Sequence, residues 1–379
     1  MPIQLLLGRA SSDVYTFVLA LGNEAEFAMS ERVSRHIGGR EDRLQLADVA
    51  RQYYIEDLTQ EQIARGLGVS RSRVSRMLKV ARERGIVEIR IHHPLRTAPE
   101  LQERLLAALP LSDTLVLAAG EESRSASHER DASDEVARQL GALTARYLDE
   151  RIANHDIVGV GWGSTVYHVV TSGYFRRKQG TSVVQLMGSV GGATPDIDGG
   201  QVATRLGRAL GGNIYYLHAP MVVTDAGVRA GLLRDQHIRK TLEMARRANV
   251  VLVSVGAVTQ ASGIFRAGYL NESDLEYIQG QGAVGDICGV YFRQDGSPCS
   301  LEFEERTIAA GADAMRRAAL RVGVGWGAAK ALPSIGAIRA GLINTLITDE
   351  ECAREMLDII ASEIAQAAGS TPEVQLAAS

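Results

Sequence analysis

Apolar positions along the chain change their spacing twice, and each change marks a boundary. In residues 1–40 two apolar stretches, Leu5 to Leu7 and Phe17 to Leu21, are separated by Ser11, Ser12 and Asp13, with no sustained period. The expectation is an N-terminal extension of weak order, since termini are loose unless tied down. From residue 41 to 95 Leu46, Val49, Ala50 and Tyr53 recur at helical spacing, short helical patterns follow, and Ile86, Ile89 and Ile91 lie in an extended run. His92, His93 and Pro94 end that run, and Arg96 to Glu100 reads as a linker.

Beyond it, in residues 96–370, strand-like runs alternate with helical ones. The strands are Thr114 to Leu117, Ile157 to Val160, Ser182 to Met187, Val250 to Val255, Arg321 to Val324 and Asn344 to Ile347. The helices include Glu135 to Arg151, Gln201 to Leu210, Asp235 to Ala248 and Glu350 to Ala367, and residues 371–379 form a tail. Alternation of this kind predicts an α/β fold with a doubly wound parallel sheet covered by helices on both faces. Ligands of such sheets lie at the carboxyl ends of the strands.

Composition narrows the function classes. An apolar content of 45% in 379 residues suits two or three globular domains and argues against disorder. Forty-one basic against forty-five acidic residues exclude a protein that holds nucleic acid by charge over its whole surface, so any basic face must be local. No apolar run approaches a membrane span. The three cysteines, Cys288, Cys299 and Cys352, lack C-x-x-C spacing, so a reducing cytoplasm is expected.

The local basic face is found after Leu58. Thr59 and Gln62 have capping-box spacing, Gly68 supplies a tight turn, and Ser70 can cap a second helix. Ile63, Ala64, Leu67, Val69, Val74 and Leu78 form the inward set of the two helices. The second helix then turns Arg71, Ser72, Arg73, Ser75, Arg76 and Lys79 outward, as a recognition helix in a major groove requires. With Thr59, Gln60 and Ser70 these form the candidate DNA-binding set. From Arg71 to Arg96 eight basic residues face only Glu83 and Glu88. The alternative is a solvated basic face, but turn, caps, inward pattern and charge coincide in register. The strand after this helix suggests a winged variant, or serves only to close the small core.

Candidate ligand chemistry lies in the second half. Gly159-Val160-Gly161-Trp162-Gly163 and Gly323-Val324-Gly325-Trp326-Gly327 repeat one pentapeptide, each after a strand and before a helix, and hold both tryptophans. Glycines at such turns let backbone N–H groups approach an anion at a helix N-terminus. Ser164 and Thr165 add hydroxyls after the first loop, and Lys330 an ammonium after the second. Neither loop fits a nucleotide motif: G-x-G-x-x-G fails at Ser164 and at Ala328. Asp286, after Gly282 and Gly285, can accept from sugar hydroxyls or cap a turn, and Ser189 follows another strand on a loop that can face the same crevice. Effector-binding candidates are therefore Gly161, Gly163, Ser164, Thr165, Ser189, Asp286, Gly327 and Lys330. The scattered histidines give no metal spacing, and neither metal nor cofactor is expected.

On these residues, from Leu46 to Leu357, the chain resembles the SorC family of sugar-binding bacterial transcriptional regulators, a DeoR-type group. The resemblance implies an N-terminal helix-turn-helix joined to an effector domain similar to sugar-phosphate isomerases, assembled as homo-dimers or homo-tetramers. It implies that Gly161 to Thr165 and Lys330 hold phosphate and that Asp286 meets the sugar. The chain departs from the family where Trp326-Gly327 replaces paired glycines and Ala328-Ala329 replaces acidic or polar residues. The expected function is a regulator, a repressor rather than an enzyme, whose grip on double-stranded operator DNA is set by a small phosphorylated sugar or polyol. The alternative is a sugar-phosphate isomerase-like enzyme with a DNA-binding appendage. That reading needs a general base, for which Asp286 and Lys330 are the candidates. An architectural DNA-binding protein is a third reading. Palindromic half-sites would require at least a dimer.

Overall fold

In the computed structural model residues 14–19, 40–92, 95–119, 129–191 and 197–369 are described. The expectations for His93, Pro94 and the 371–379 tail lie outside them. The chain separates into two units, Met1–Pro94 and Leu95–Ser379.

The first unit contains β1 (Val14–Leu19), α1 (Arg40–Tyr54), α2 (Gln60–Leu67), α3 (Arg71–Glu83) and β2 (Val87–His92). Its helices start and stop where their sequences dictate. The Thr59 hydroxyl accepts from the Gln62 N–H at 3.3 Å, and the Gln62 side chain accepts from the Thr59 N–H at 2.9 Å, closing the capping box. Gly68 ends α2 with φ of +64°, a left-handed conformation that a β-carbon would disfavour. Ser70 then caps α3 by accepting from the Arg73 N–H at 3.3 Å. Leu46, Val49, Ala50, Ile63, Ala64, Val74, Leu78 and Ala81 close a core to which Ile86 and Val87 contribute from the strand side. Thr59→Ala is expected to destabilise this unit by about 1 kcal/mol, read as faster hydrogen exchange across α2.

One expectation is corrected here. Val14–Leu19 is not a loose extension but a strand, antiparallel to β2 in a register running from Val14 opposite His92 to Leu19 opposite Val87. Six residues of β-branched, aromatic and aliphatic character offer good strand propensity, and β2 would otherwise present an unpaired edge. Residues 1–13 and 20–39 of the expected extension lie outside the described set.

The second unit runs α4 (Pro99–Ala108), β3 (Asp113–Leu117), α5 (Glu129–Arg151), β4 (Ile157–Val160), α6 (Ser164–Thr171), β5 (Ser182–Gln185), α7 (Gly199–Leu210), β6 (Asn213–Tyr215), α8 (Ala226–Leu232), α9 (Gln236–Ala245) and β7 (Val250–Ser254). It continues with β8 (Gly256–Ala257), α10 (Gly263–Arg266), α11 (Glu272–Gly280), β9 (Gly285–Ile287), β10 (Val290–Phe292), α12 (Ala312–Arg317), β11 (Leu320–Val324), α13 (Ala331–Arg339), β12 (Thr345–Asp349) and α14 (Glu350–Gly369). Pro99 does not prolong the linker but opens α4 as an N-terminal helical residue.

Seven strands form a wholly parallel sheet in the order β3-β12-β11-β7-β4-β5-β6. Successive residues of β7 face opposite sides: Val251 and Val253 enter one core, Val250 and Leu252 the other. A strand covered by helices on both faces must be apolar throughout, which is why its sequence reads as an unbroken run. From β4 the chain winds outward through β5 and β6, then returns to lay β7 on the other side of β4 and continues to β11 and β12. The order therefore reverses between β4 and β7, and ligands of open parallel sheets bind outside the strand ends at such a reversal. A second, antiparallel sheet of three strands, β10-β9-β8, grows from the end of β7. Its β9–β10 turn has positive φ at both central residues, 52° at Cys288 and 78° at Gly289, as a tight hairpin requires.

Candidate functional sites

On the first unit, α3 turns its positive face to solvent. Arg71, Ser72, Arg73, Ser75, Arg76 and Lys79 are all exposed, whereas Val74 and Leu78 between them are buried. Lys79 is spanned by Glu83 at 3.9 Å; among the described residues no ion pair engages Arg71, Arg73 or Arg76. The hydroxyls of Thr59 and Ser70 are committed to the helix caps, and Ser70 also lies 3.0 Å from the Ser72 hydroxyl. Gln60 stands half-buried at the start of α2. Guanidinium groups carried on a rigid helix, unneutralised and beside a backbone turn, can pair with guanine edges or with phosphate.

On the second unit both glycine-rich loops lie at the same edge of the sheet, at the ends of β4 and β11 on either side of β7. The expectation that their glycine N–H groups would face an anion requires correction. Gly161 donates to the Leu252 carbonyl at 2.9 Å, Gly163 to Ile197 at 3.1 Å, and Gly327 to the Asp349 carboxylate at 3.0 Å. These glycines serve close approach instead. A β-carbon at Gly161 would lie 3.2 Å from the Cys288 sulfur, and one at Gly163, where φ is +117°, would lie 3.2 Å from the Ser254 hydroxyl. The Ser254 hydroxyl in turn donates to the Trp162 carbonyl at 3.1 Å and fixes the first loop.

Backbone donors remain one step further on. α6 begins at Ser164 with no side-chain cap, so its first N–H groups, those of Ser164 and Thr165, stand at the positive end of the helix dipole. Across β7, Lys330 follows the second loop in a short 3-10 turn, its stem beside Gly325. Burial pulls its ammonium below the usual lysine range, and the Asp286 carboxylate partly restores it. Asp286 is held on β9, where it accepts from the Gly289 N–H at 3.2 Å. Burial raises its carboxyl above the ordinary range, against the Gly289 hydrogen bond and Lys330. The two groups thus feel one another without closing into a direct ion pair, and both keep capacity for a ligand. Asp286 also presses on Gly256, where any β-carbon would collide with its carboxylate.

Ser189 lies beyond the end of β5, one strand out from β4, with its backbone bonded to Ala219 and Met221. The two tryptophans are not equivalent: Trp162 packs over Gly263 of α10, whereas Trp326 rests against the core on the other face of the sheet. Cys288, Ser254 and Asp349 were not singled out from the sequence. Asp349 was findable, as an acid closing a strand and accepting the Cys352 N–H at 3.1 Å to start a helix. Among the described residues no three His, Cys, Asp or Glu side chains converge as a metal site, and no helix is long and apolar enough to cross a membrane.

Comparison with known proteins agrees with this division. Residues 93–358 match the family model described as "Putative sugar-binding domain", and residues 46–84 match sigma-70 region 4, a model that covers α2 and α3. The deoxyribonucleoside regulator of Bacillus subtilis (strain 168) is 31% identical over 82% of this chain and 96% of its own. The sorbitol operon regulator of Klebsiella pneumoniae is 26% identical over 82% of this chain and 97% of its own. The crystal structure of full-length sorbitol operon regulator SorC from that organism superposes with a TM-score of 0.62 at 24% identity, covering 84% of this chain and 99% of its own, and shows the shared fold. A helix-turn-helix with a basic face, a parallel-sheet domain with charged and polar groups at its switch point, and sequence similarity over most of the chain converge: the chain belongs to the SorC family of DeoR-type, sugar-binding transcriptional regulators.

Proposed function

We propose that this regulator is a repressor. In our reading α3 reads operator DNA, and a small phosphorylated sugar or polyol bound in the crevice releases it. The DNA-reading domain comprises residues 41–95, the effector and oligomerisation domain residues 96–370, and a cytoplasmic homo-dimer or homo-tetramer binds two half-sites. The observation that carries the effector reading is the convergence at one strand edge of the uncapped start of α6, the Lys330 ammonium and the Asp286 carboxylate. Helix N-termini and ammonium groups favour a phosphate, and a carboxylate accepts from hydroxyls. Ser164 and Thr165 would donate to the phosphate, with Ser189 at the outer end of the crevice. Gly161, Gly163 and Gly327 shape the loops and leave anion contact to their neighbours.

Calorimetric titration with sugar phosphates and with their dephosphorylated parents tests this. A phosphate ester should bind at least about a hundredfold more tightly than its parent sugar, the scale of a lost charge-assisted pair. Equal binding of the parent would overturn the phosphate assignment. The same sugar phosphates should remain unconverted when followed by NMR, because Ala328 and Ala329 place no additional carboxylate beside Lys330. Appearance of an isomer would favour the enzyme reading.

A further inference from the structure

The second glycine-rich loop is held in place from β12. Gly325 donates to the Ile347 carbonyl at 3.3 Å, and two residues on, the Gly327 N–H donates to Oδ1 of Asp349 at 3.0 Å. The Gly327 carbonyl then accepts from the Lys330 N–H at 3.0 Å and closes the 3-10 turn that carries the ammonium. That turn has no side-chain cap of its own, and Ala328 and Ala329 offer no polar group. Its fixed point is therefore a carboxylate on another strand.

Asp349 closes β12, and the same Oδ1 also accepts from the Cys352 N–H at 3.1 Å, one of the first donors of α14, which lack intrahelical partners. One oxygen thus joins three elements: the end of β12, the start of α14 and the loop. Capping α14 needs only the Cys352 bond. The bond to Gly327 adds nothing to the cap, and it acts on the short turn that places Lys330. A ligand-binding group keeps its geometry only as well as the residues behind it do. We propose that Asp349 is a positioning residue of the effector site, stapling the second loop to the end of β12 so that the Lys330 ammonium meets the effector's phosphate. This role rests on the reading of Lys330 as the phosphate partner.

The test uses the full chain, inorganic phosphate as probe and two variants. Asp349→Ser keeps a hydroxyl to cap α14 but is too short to hold Gly327 as well, whereas Asp349→Asn keeps an amide oxygen for both N–H groups and removes only the charge. Hydrogen exchange needs no ligand: across residues 325–330 it should be faster in Asp349→Ser and unchanged in Asp349→Asn. Phosphate, followed by 31P NMR, should bind Asp349→Ser about tenfold more weakly than the wild type, the scale of one hydrogen bond to a charged group. Asp349→Asn should bind it nearly as tightly as the wild type. Burial lowers the Lys330 pKa, opposed by Asp286 and Cys352 and reinforced by Arg266. A loosened turn lets the ammonium into water, so the alkaline fall in phosphate affinity should move to higher pH in Asp349→Ser and stay in place in Asp349→Asn. Equal phosphate affinity in wild type and Asp349→Ser, or a loss in Asp349→Asn as large as in Asp349→Ser, would overturn the positioning role. No saturable phosphate binding by the wild type would instead overturn the crevice assignment, and the positioning role with it.

Discussion

Replacing Arg73 or Arg76 by alanine is expected to weaken operator binding by about 1–3 kcal/mol each, roughly fivefold to 150-fold, if the guanidinium reads a base edge. Both side chains are exposed on α3, and among the described residues neither is engaged in an ion pair, so their removal does not disturb the core formed by Val74 and Leu78. Neither arginine is spent on holding the fold, which makes the loss on DNA the dominant effect. Titration against salt separates the two modes of contact. A phosphate contact gives a loss shared by all sequences and a salt slope smaller by about one, whereas a base contact relaxes discrimination at one operator position. Unchanged binding in both variants would remove α3 from the operator interface.

The second large effect is expected at Lys330 and Asp286. Lys330→Met should abolish the response to a sugar phosphate while leaving operator affinity in its absence unaltered, because the substituted group lies in the effector unit. Asp286→Asn keeps the shape but lessens the acceptor strength towards hydroxyls, and should lower effector affinity by about tenfold. The pH dependence follows from the direction of the lysine shift. Since burial lowers the Lys330 pKa, its ammonium is lost as pH rises at values below those of an exposed lysine. Affinity for a phosphate ester should therefore be full on the acid side of that lowered pKa and fall as pH rises through it. Lys330→Met should lack this alkaline limb. Retention of the limb in that variant would assign it to another group.

The parts of the molecule written in short stretches of sequence were readable from it. The capping box at Thr59 and Gln62, the turn at Gly68 and the Ser70 cap all act within a few residues, and six of the seven strands of the parallel sheet were read from their largely apolar runs, whereas β6, three residues that begin at Asn213, was not. What escaped depends on distant partners. β1 pairs with β2 across an intervening helix-turn-helix, a contact no local period encodes. The three strands of the small sheet are two or three residues long, too short to show alternation, so Asp286 was legible as a carboxylate after glycines but not as a hairpin residue facing Lys330. The glycine N–H groups looked free in sequence because Ile197 and Asp349, which engage Gly163 and Gly327, lie far along the chain.

A ligand controls DNA binding only by binding unequally to the two arrangements of the protein, and the coupling must appear reciprocally in both affinities. The most direct test is fluorescence anisotropy of the intact protein on a labelled fragment from upstream of its own gene, at fixed salt, with a panel of sugar and polyol phosphates. The expected result is specific, tight binding that one phosphorylated compound weakens and that Lys330→Met renders unresponsive. Specific binding indifferent to every compound, or none beyond that to unrelated DNA, would contradict it.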